Sequence, residues 1–148
     1  HRFDPFGGAL YLLLVAPGCT DARAKTRVQD LVEGFRSVDS PYGVTIRCRH
    51  APAAGGPPDE AEVIERTNGV VVWPFVVGRT SQALARAGYP EEASRQFLKL
   101  QSHEKSSEWL DPNTGRCYGA TDQGWTAGLR ADAAIDFAGG IRFFWDDA

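Results

Sequence analysis

Residues 74–100 read PFVVGRTSQALARAGYPEEASRQFLKL, and two prolines, with Gly88 just before the second, divide the stretch into two helices. Proline has no backbone N–H to give, so it suits the first turn of a helix and breaks its interior. The first helix is therefore expected to start near Pro74, run to Ala87 and end at Gly88. The second begins at Pro90, where Glu91 and Glu92 complement the positive end of the helix dipole. Ala93, Phe97 and Leu100 form its inner stripe. Ahead of the pair, Asn68 to Val77 is apolar and β-branched, with Pro74 in its middle.

Working outward, Gly7 to Ala16 reads as a short buried helix stopped by Pro17-Gly18. Thr20 or Asp21 can cap a clear amphipathic helix, with Val28, Leu31, Val32 and Phe35 at i, i+3, i+4 and i+7. Pro41-Tyr42-Gly43 turns the chain into an extended Val44-Thr45-Ile46, and residues 51–58 are a loop by composition. Beyond the helical pair, Ser106 to Gln123 is a polar loop rich in turn residues. A last helix is expected from near Trp125 to about Phe137, with Ile141 to Trp145 as a terminal strand. The sum is one mainly α domain of five or six helices with long loops and a short β segment at the C-terminus.

The 148 residues suffice for one real core, and neither side of the 51–58 loop is apolar enough for a separate one. A net charge of −3 gives no reason to expect nucleic acid or an anionic membrane as a partner, and the apolar run Ala9 to Ala16 is far too short to span a bilayer. Cys19, Cys48 and Cys117 are odd in number, far apart and free of any C-x-x-C pattern, which argues against zinc and for free thiols in a reducing compartment such as the cytoplasm. The chain starts at His1 and holds no Met, which leads us to expect a longer N-terminal portion ahead of it.

Chemistry concentrates in Ser107-Glu108-Trp109-Leu110-Asp111-Pro112-Asn113-Thr114-Gly115, followed by Gly124-Trp125-Thr126-Ala127. Asp111 to Gly115 is a tight turn, because Pro sets φ while Asn and Gly tolerate positive φ. Such a turn fixes the direction of the Glu108 carboxylate, and Trp109 and Trp125 flank it with flat apolar surface suited to the C–H face of a sugar. The same residues also fit a solvated turn with an incidental glutamate.

The order Glu-x-x-Asp-Pro-x-Thr-Gly, then Gly-Trp-Thr-Ala, resembles the C-terminal signature of inverting glycoside hydrolases built as an (α/α)6 toroid, the clan of trehalases, processing α-glucosidases and mannosylglycerate hydrolases. Pro41-Tyr42-Gly43-Val44, Asn68 to Phe75 and Leu84 to Ala93 resemble further pieces of that family in the same order, so the likeness covers about Pro41 to Ala134. It implies a partial toroid whose chemistry is inverting hydrolysis of an α-glucosidic bond. In that reaction one carboxylic acid protonates the leaving oxygen and a carboxylate activates water from the opposite face. Carried over, Glu108 is the general base, and Trp73, Trp125, Tyr42 and Trp109 line the carbohydrate site. No cofactor is implied, because carboxylates and water carry the reaction.

The family's acid, an Asp in a Trp- and Gly-rich motif, has no counterpart here, and Leu110 stands where an aromatic residue is usual. A full ring of twelve helices needs roughly 200 residues or more. The resemblance therefore implies that the N-terminal half of the enzyme, or a second chain, supplies the acid. Asp122 is the nearest alternative acid and Glu104 the competing base. A non-catalytic sugar-binding paralogue keeps the same cleft. A helical-hairpin interaction module is the other alternative, although no 20–50-residue period repeats along the chain.

Overall fold

The computed structural model describes residues 3–16, 22–47 and 58–138. Six helices and five short strands follow in the order α1 (Pro5–Leu14), α2 (Ala22–Ser37), β1 (Asp39–Ser40), β2 (Gly43–Arg47), α3 (Glu60–Arg66), β3 (Val70–Val72), α4 (Pro74–Arg86), α5 (Pro90–Ser102), β4 (Trp109–Leu110), β5 (Cys117–Tyr118) and α6 (Gly124–Ala138). Among the described residues the protein is thus mainly helical, with one small antiparallel sheet. The expected caps Thr20 and Asp21 and the strand Ile141 to Trp145 lie outside the described residues.

Helix α4 is the axis of the molecule. Helices α1, α5 and α6 and strand β2 all pack on it, and ten of its residues, from Pro74 to Ala85, are buried. Pro74 stands at its start as the sequence requires. At its end the Gly88 N–H reaches Ala85 O and the Tyr89 N–H reaches Leu84 O, the paired bonds of a Schellman cap. Those bonds satisfy carbonyls that would otherwise be left open and reverse the chain into α5. Near the start of the chain the Asp4 carboxylate accepts the Phe6 N–H at 3.1 Å, so α1 begins two residues earlier than its apolar run.

The five strands form a meander in the order β1-β2-β3-β4-β5. Thr45 pairs with Val72, Val72 with Leu110, and Leu110 with Cys117. Alternation along a strand sends neighbours to opposite faces, and the core divides accordingly. Val72 and Leu110 join the main core with Leu12, Val32, Phe35, Val77, Leu84 and Leu100. Val71 and Trp109 instead meet Val63 of α3 and Tyr118 in a smaller cluster on the other side.

One face of α5 holds the β1–β2 hairpin. Gln96 Nε2 donates to Asp39 Oδ1 at 2.8 Å while its Oε1 accepts the Val44 N–H at 3.2 Å. One turn on, Lys99 Nζ donates to Asp39 Oδ2 and Ser40 O, and past the helix end His103 Nε2 lies 2.8 Å from Tyr42 O. Residues 96, 99 and 103 share one side of the helix by their spacing, so the position of Tyr42 is dictated by α5.

Candidate functional site

Glu108 lies just before β4, in the segment joining α5 to α6. Its backbone N–H donates to Ala120 O at 2.9 Å, and its Oε2 accepts the Ala120 N–H at 3.1 Å. Backbone and carboxylate are thus both tied to the turn that follows β5, and the side chain is half-buried. The Asp111 turn on the far side of β4 is equally constrained. Asp111 is 1% exposed, and its carboxylate accepts the Asn113 N–H, the Thr114 hydroxyl and the Arg66 guanidinium at 2.9, 2.8 and 2.7 Å. Burial raises the pKa of that carboxyl, but these donors outweigh it and hold the net value below the ordinary range.

The same segment is bonded to the start of α6. The Gln123 N–H donates to Ser106 O at 2.7 Å and Thr126 Oγ1 to Ser107 O at 3.4 Å. Ser107 and Thr126 are the immediate chain neighbours of Glu108 and Trp125, so the carboxylate and the indole start from adjoining backbone. Trp125 is 53% exposed, and its ring centroid lies 6.0 Å from that of Trp73, edge to face, and 5.9 Å from that of Phe75. Trp73 and Phe75 are themselves 6.1 Å apart. Phe6 from α1 extends the group at 5.8 Å from Phe75, and the Arg79 guanidinium lies 5.6 Å from the Phe75 centroid. An open aromatic triangle of this kind offers apolar faces to a ligand whose remaining surface stays wet.

Of the residues singled out in the sequence, Trp73 and Trp125 are brought together. Trp109 is placed differently: it is 1% exposed and stacked on Tyr118 at 4.6 Å, so its face is spent on the small core cluster behind Glu108. Tyr42 rests against the backbone of Gly115 and lines a cavity with His103 and Thr114. Asp122 is exposed with φ +56°, and Glu104 is exposed at the rim of that same cavity. Among the described residues no group of three His, Cys, Asp or Glu side chains gathers to hold a metal ion, and no helix is long and apolar enough to cross a membrane.

No protein-family model, curated protein or solved structure matches this chain. The site must therefore be judged on its own geometry.

Phe75, Phe6 and Arg79 are parts of the aromatic surface that the sequence did not single out. Phe75 and Arg79 share a helix face at i and i+4, which is a legible signal once Pro74 fixes the helix start. Phe6 comes from a distant helix and carries no such signal.

Proposed function

We propose that this chain is the C-terminal part of an inverting α-glycosidase of the toroid type, in which Glu108 is the general base and Trp73 and Trp125 form the wall of a glucosyl subsite. The observation that carries the reading is the pairing of the half-buried, backbone-anchored Glu108 with the exposed Trp125 through the Ser107–Thr126 bond. A general base must be held so that one carboxylate oxygen faces the attacking water, and the Ala120 N–H occupies Oε2, which leaves Oε1 as the oxygen for that water among the described residues. Trp73 and Phe75 complete a surface on which a pyranose ring stacks. Trp109 serves from behind, packing the strand that presents Glu108, and Tyr42, in the cavity beside the Asp111–Gly115 turn, would meet a more distant part of the substrate.

In this reading the antiparallel pair α4–α5 is one hairpin of an incomplete ring, and the remainder belongs to an N-terminal portion or a second chain, which also brings the general acid. The exposed apolar side chains support that arrangement, since five of the six large ones among the described residues sit on or directly after α1 and α6. A sugar-binding protein without turnover is the second reading, favoured by the fact that this chain forms the whole aromatic triangle by itself.

The test is Glu108→Gln in the protein as isolated from its source, assayed on an α-glucoside. Glutamine keeps an oxygen for the Ala120 N–H, so the fold should be unchanged. Hydrolysis should fall roughly a hundred- to ten-thousand-fold, the usual worth of a general base. Unaltered turnover removes Glu108 from the role, and sugar binding without any turnover by the unmutated protein selects the second reading.

A further inference from the structure

Two faces that the fold leaves uncovered match one another. On α1, Leu10 and Leu14 stand one turn apart on the same side, with Val15 beside them, and all three are exposed. On α6, Gly128, Ala131, Asp132 and Ile135 follow the i, i+3, i+4, i+7 spacing of one helix face, and all four are exposed. Trp125 lies at the other end of α6, with the aromatic triangle.

The shapes are complementary. A Cβ at Gly128 would meet nothing within 4 Å. Glycine weakens a helix interior relative to alanine, so nothing among the described residues calls for it at this position. Beside Ala131 it leaves a shallow trough next to the Ile135 side chain, and such a trough receives a leucine ridge from another helix.

The charges are complementary as well. Phe3 packs on Phe35 at 5.1 Å, Gly8 sits against Leu31, and the Arg27 guanidinium lies 6.0 Å from the Tyr11 centroid. Helices α1 and α2 therefore run antiparallel, which brings the start of α2 beside Leu14 and Val15. That start carries Arg23, Lys25 and Arg27, all exposed and without a carboxylate partner among the described residues. Its first turn holds no acidic residue, and cations there oppose the helix dipole. An outside carboxylate would relieve both conditions. On the α6 face the one charged residue is Asp132, which is exposed.

We propose that the α1 face of one copy of this chain docks on the α6 face of a second copy. Leu10 and Leu14 then lie over Gly128 and Ala131, and the basic start of α2 lies beside Asp132. Each copy carries both faces, so the contact made twice about a two-fold axis closes at a dimer. A lipid surface would use α1 and α2 alone and leave the α6 face without a role. In the glycosidase reading the second copy is the second chain that continues the ring. That identification rests on the reading; the pairing does not.

The test is sedimentation equilibrium of the full chain from micromolar to millimolar concentration. Leu14→Glu alters only the α1 face and Gly128→Arg only the α6 face. Both positions face open space in the single chain, so both variants should keep the circular dichroism of the unmutated protein. The unmutated protein should dimerise, and each variant alone should do so at least about tenfold more weakly. An equimolar mixture, with one variant fluorescently labelled, should pair more tightly than either variant alone. In the mixed pair one contact is intact, and in the other Glu at position 14 meets Arg at position 128. An unmutated protein that stays monomeric throughout overturns the proposal, and its binding to phosphatidylserine vesicles would assign the α1 face to a bilayer instead. Normal dimerisation of Gly128→Arg, or a mixture no tighter than its parts, overturns it too. Hydrolysis of a glucoside by a monomer sinks the pairing alone. A dimer that hydrolyses no glucoside sinks the glycosidase reading alone.

Discussion

Among the described residues, the buried imidazole of His103 ties stability to mild acid. Burial presses the pKa of His103 below its ordinary value of 6.5, the bond to Tyr42 O opposes that, and the Arg130 charge adds to it. Glu104 and Lys105 flank it on its own segment, and Arg130 faces it from α6. The native state therefore keeps His103 neutral at a pH where the unfolded chain already takes up a proton. The sign follows: stability is greatest above about pH 6.5, falls as the unfolded imidazole protonates, and stops falling on this account once pH drops below the depressed native value. The steepest loss is about 1.4 kcal/mol per pH unit, the worth of one proton. Urea unfolding at pH 7 and pH 5 should show the unmutated protein losing more stability than His103→Gln. Equal losses would mean that His103 titrates alike in the folded and unfolded chain. Asp111 acts in the same direction at lower pH, because its depressed pKa gives stability above about pH 4 that is lost as it protonates in the native turn.

At the scale of elements, two glycines with positive φ separate backbone strain from crowding. Gly88 closes α4 at φ +86°, and a Cβ there would meet nothing within 4 Å. Gly119 follows β5 at φ +71°, but a Cβ there would lie 2.7 Å from Glu108 Oε2 and 2.9 Å from Trp109 Cδ1. Alanine at either position costs about 1–2 kcal/mol for the left-handed backbone. Gly119→Ala should cost a further 1–3 kcal/mol or so, because the strand and the carboxylate must shift. Urea midpoints of the two variants measure that difference directly, and equal costs would show that Glu108 is free to move aside. The same elements show what was legible beforehand. Helices α4 and α5 are written in local residues, so both starts, at Pro74 and Pro90, and the end of α4 before Gly88 could be read from the chain. Nothing local marked the end of α5 at Ser102, and its buried side holds Gln96 with Ala93 and Leu100 while Phe97 is only partly buried. Helix α3 has seven residues and only two large apolar ones, Val63 and Ile64, too few for a period to emerge. Strands β3, β4 and β5 are two or three residues each and exist through pairings such as Thr45 with Val72 and Val72 with Leu110, which no local pattern encodes. Spacing alone likewise could not bring Trp73 beside Trp125, and it could not bury Trp109 under Tyr118.

The whole molecule leaves its apolar surface unevenly distributed. Residues 5–16 contain no charged side chain, and Leu10, Leu14 and Val15 stand 37%, 75% and 47% exposed along them. Trp125 and Ile135 of α6 are likewise exposed, at 53% and 69%. Both helices pack on α4, so in the proposed glycosidase reading α1 and α6 are the flanks at which a larger helical ring would continue. Water-facing leucine and isoleucine at these positions contribute nothing to the fold of this chain, and soluble monomers rarely keep large contiguous apolar patches. In isolation the protein should therefore associate in a concentration-dependent way, running above its 16.1 kDa monomer mass in size-exclusion chromatography with light scattering. Leu14→Lys combined with Ile135→Lys should shift it toward the monomer with little change in unfolding midpoint, since substitutions at exposed sites are usually within about 0.5 kcal/mol of neutral. A protein that stays monomeric at every concentration needs no cover for these flanks. The incomplete ring would then be the wrong architecture, and the aromatic triangle would have to be explained as the site of a small, self-sufficient helical domain.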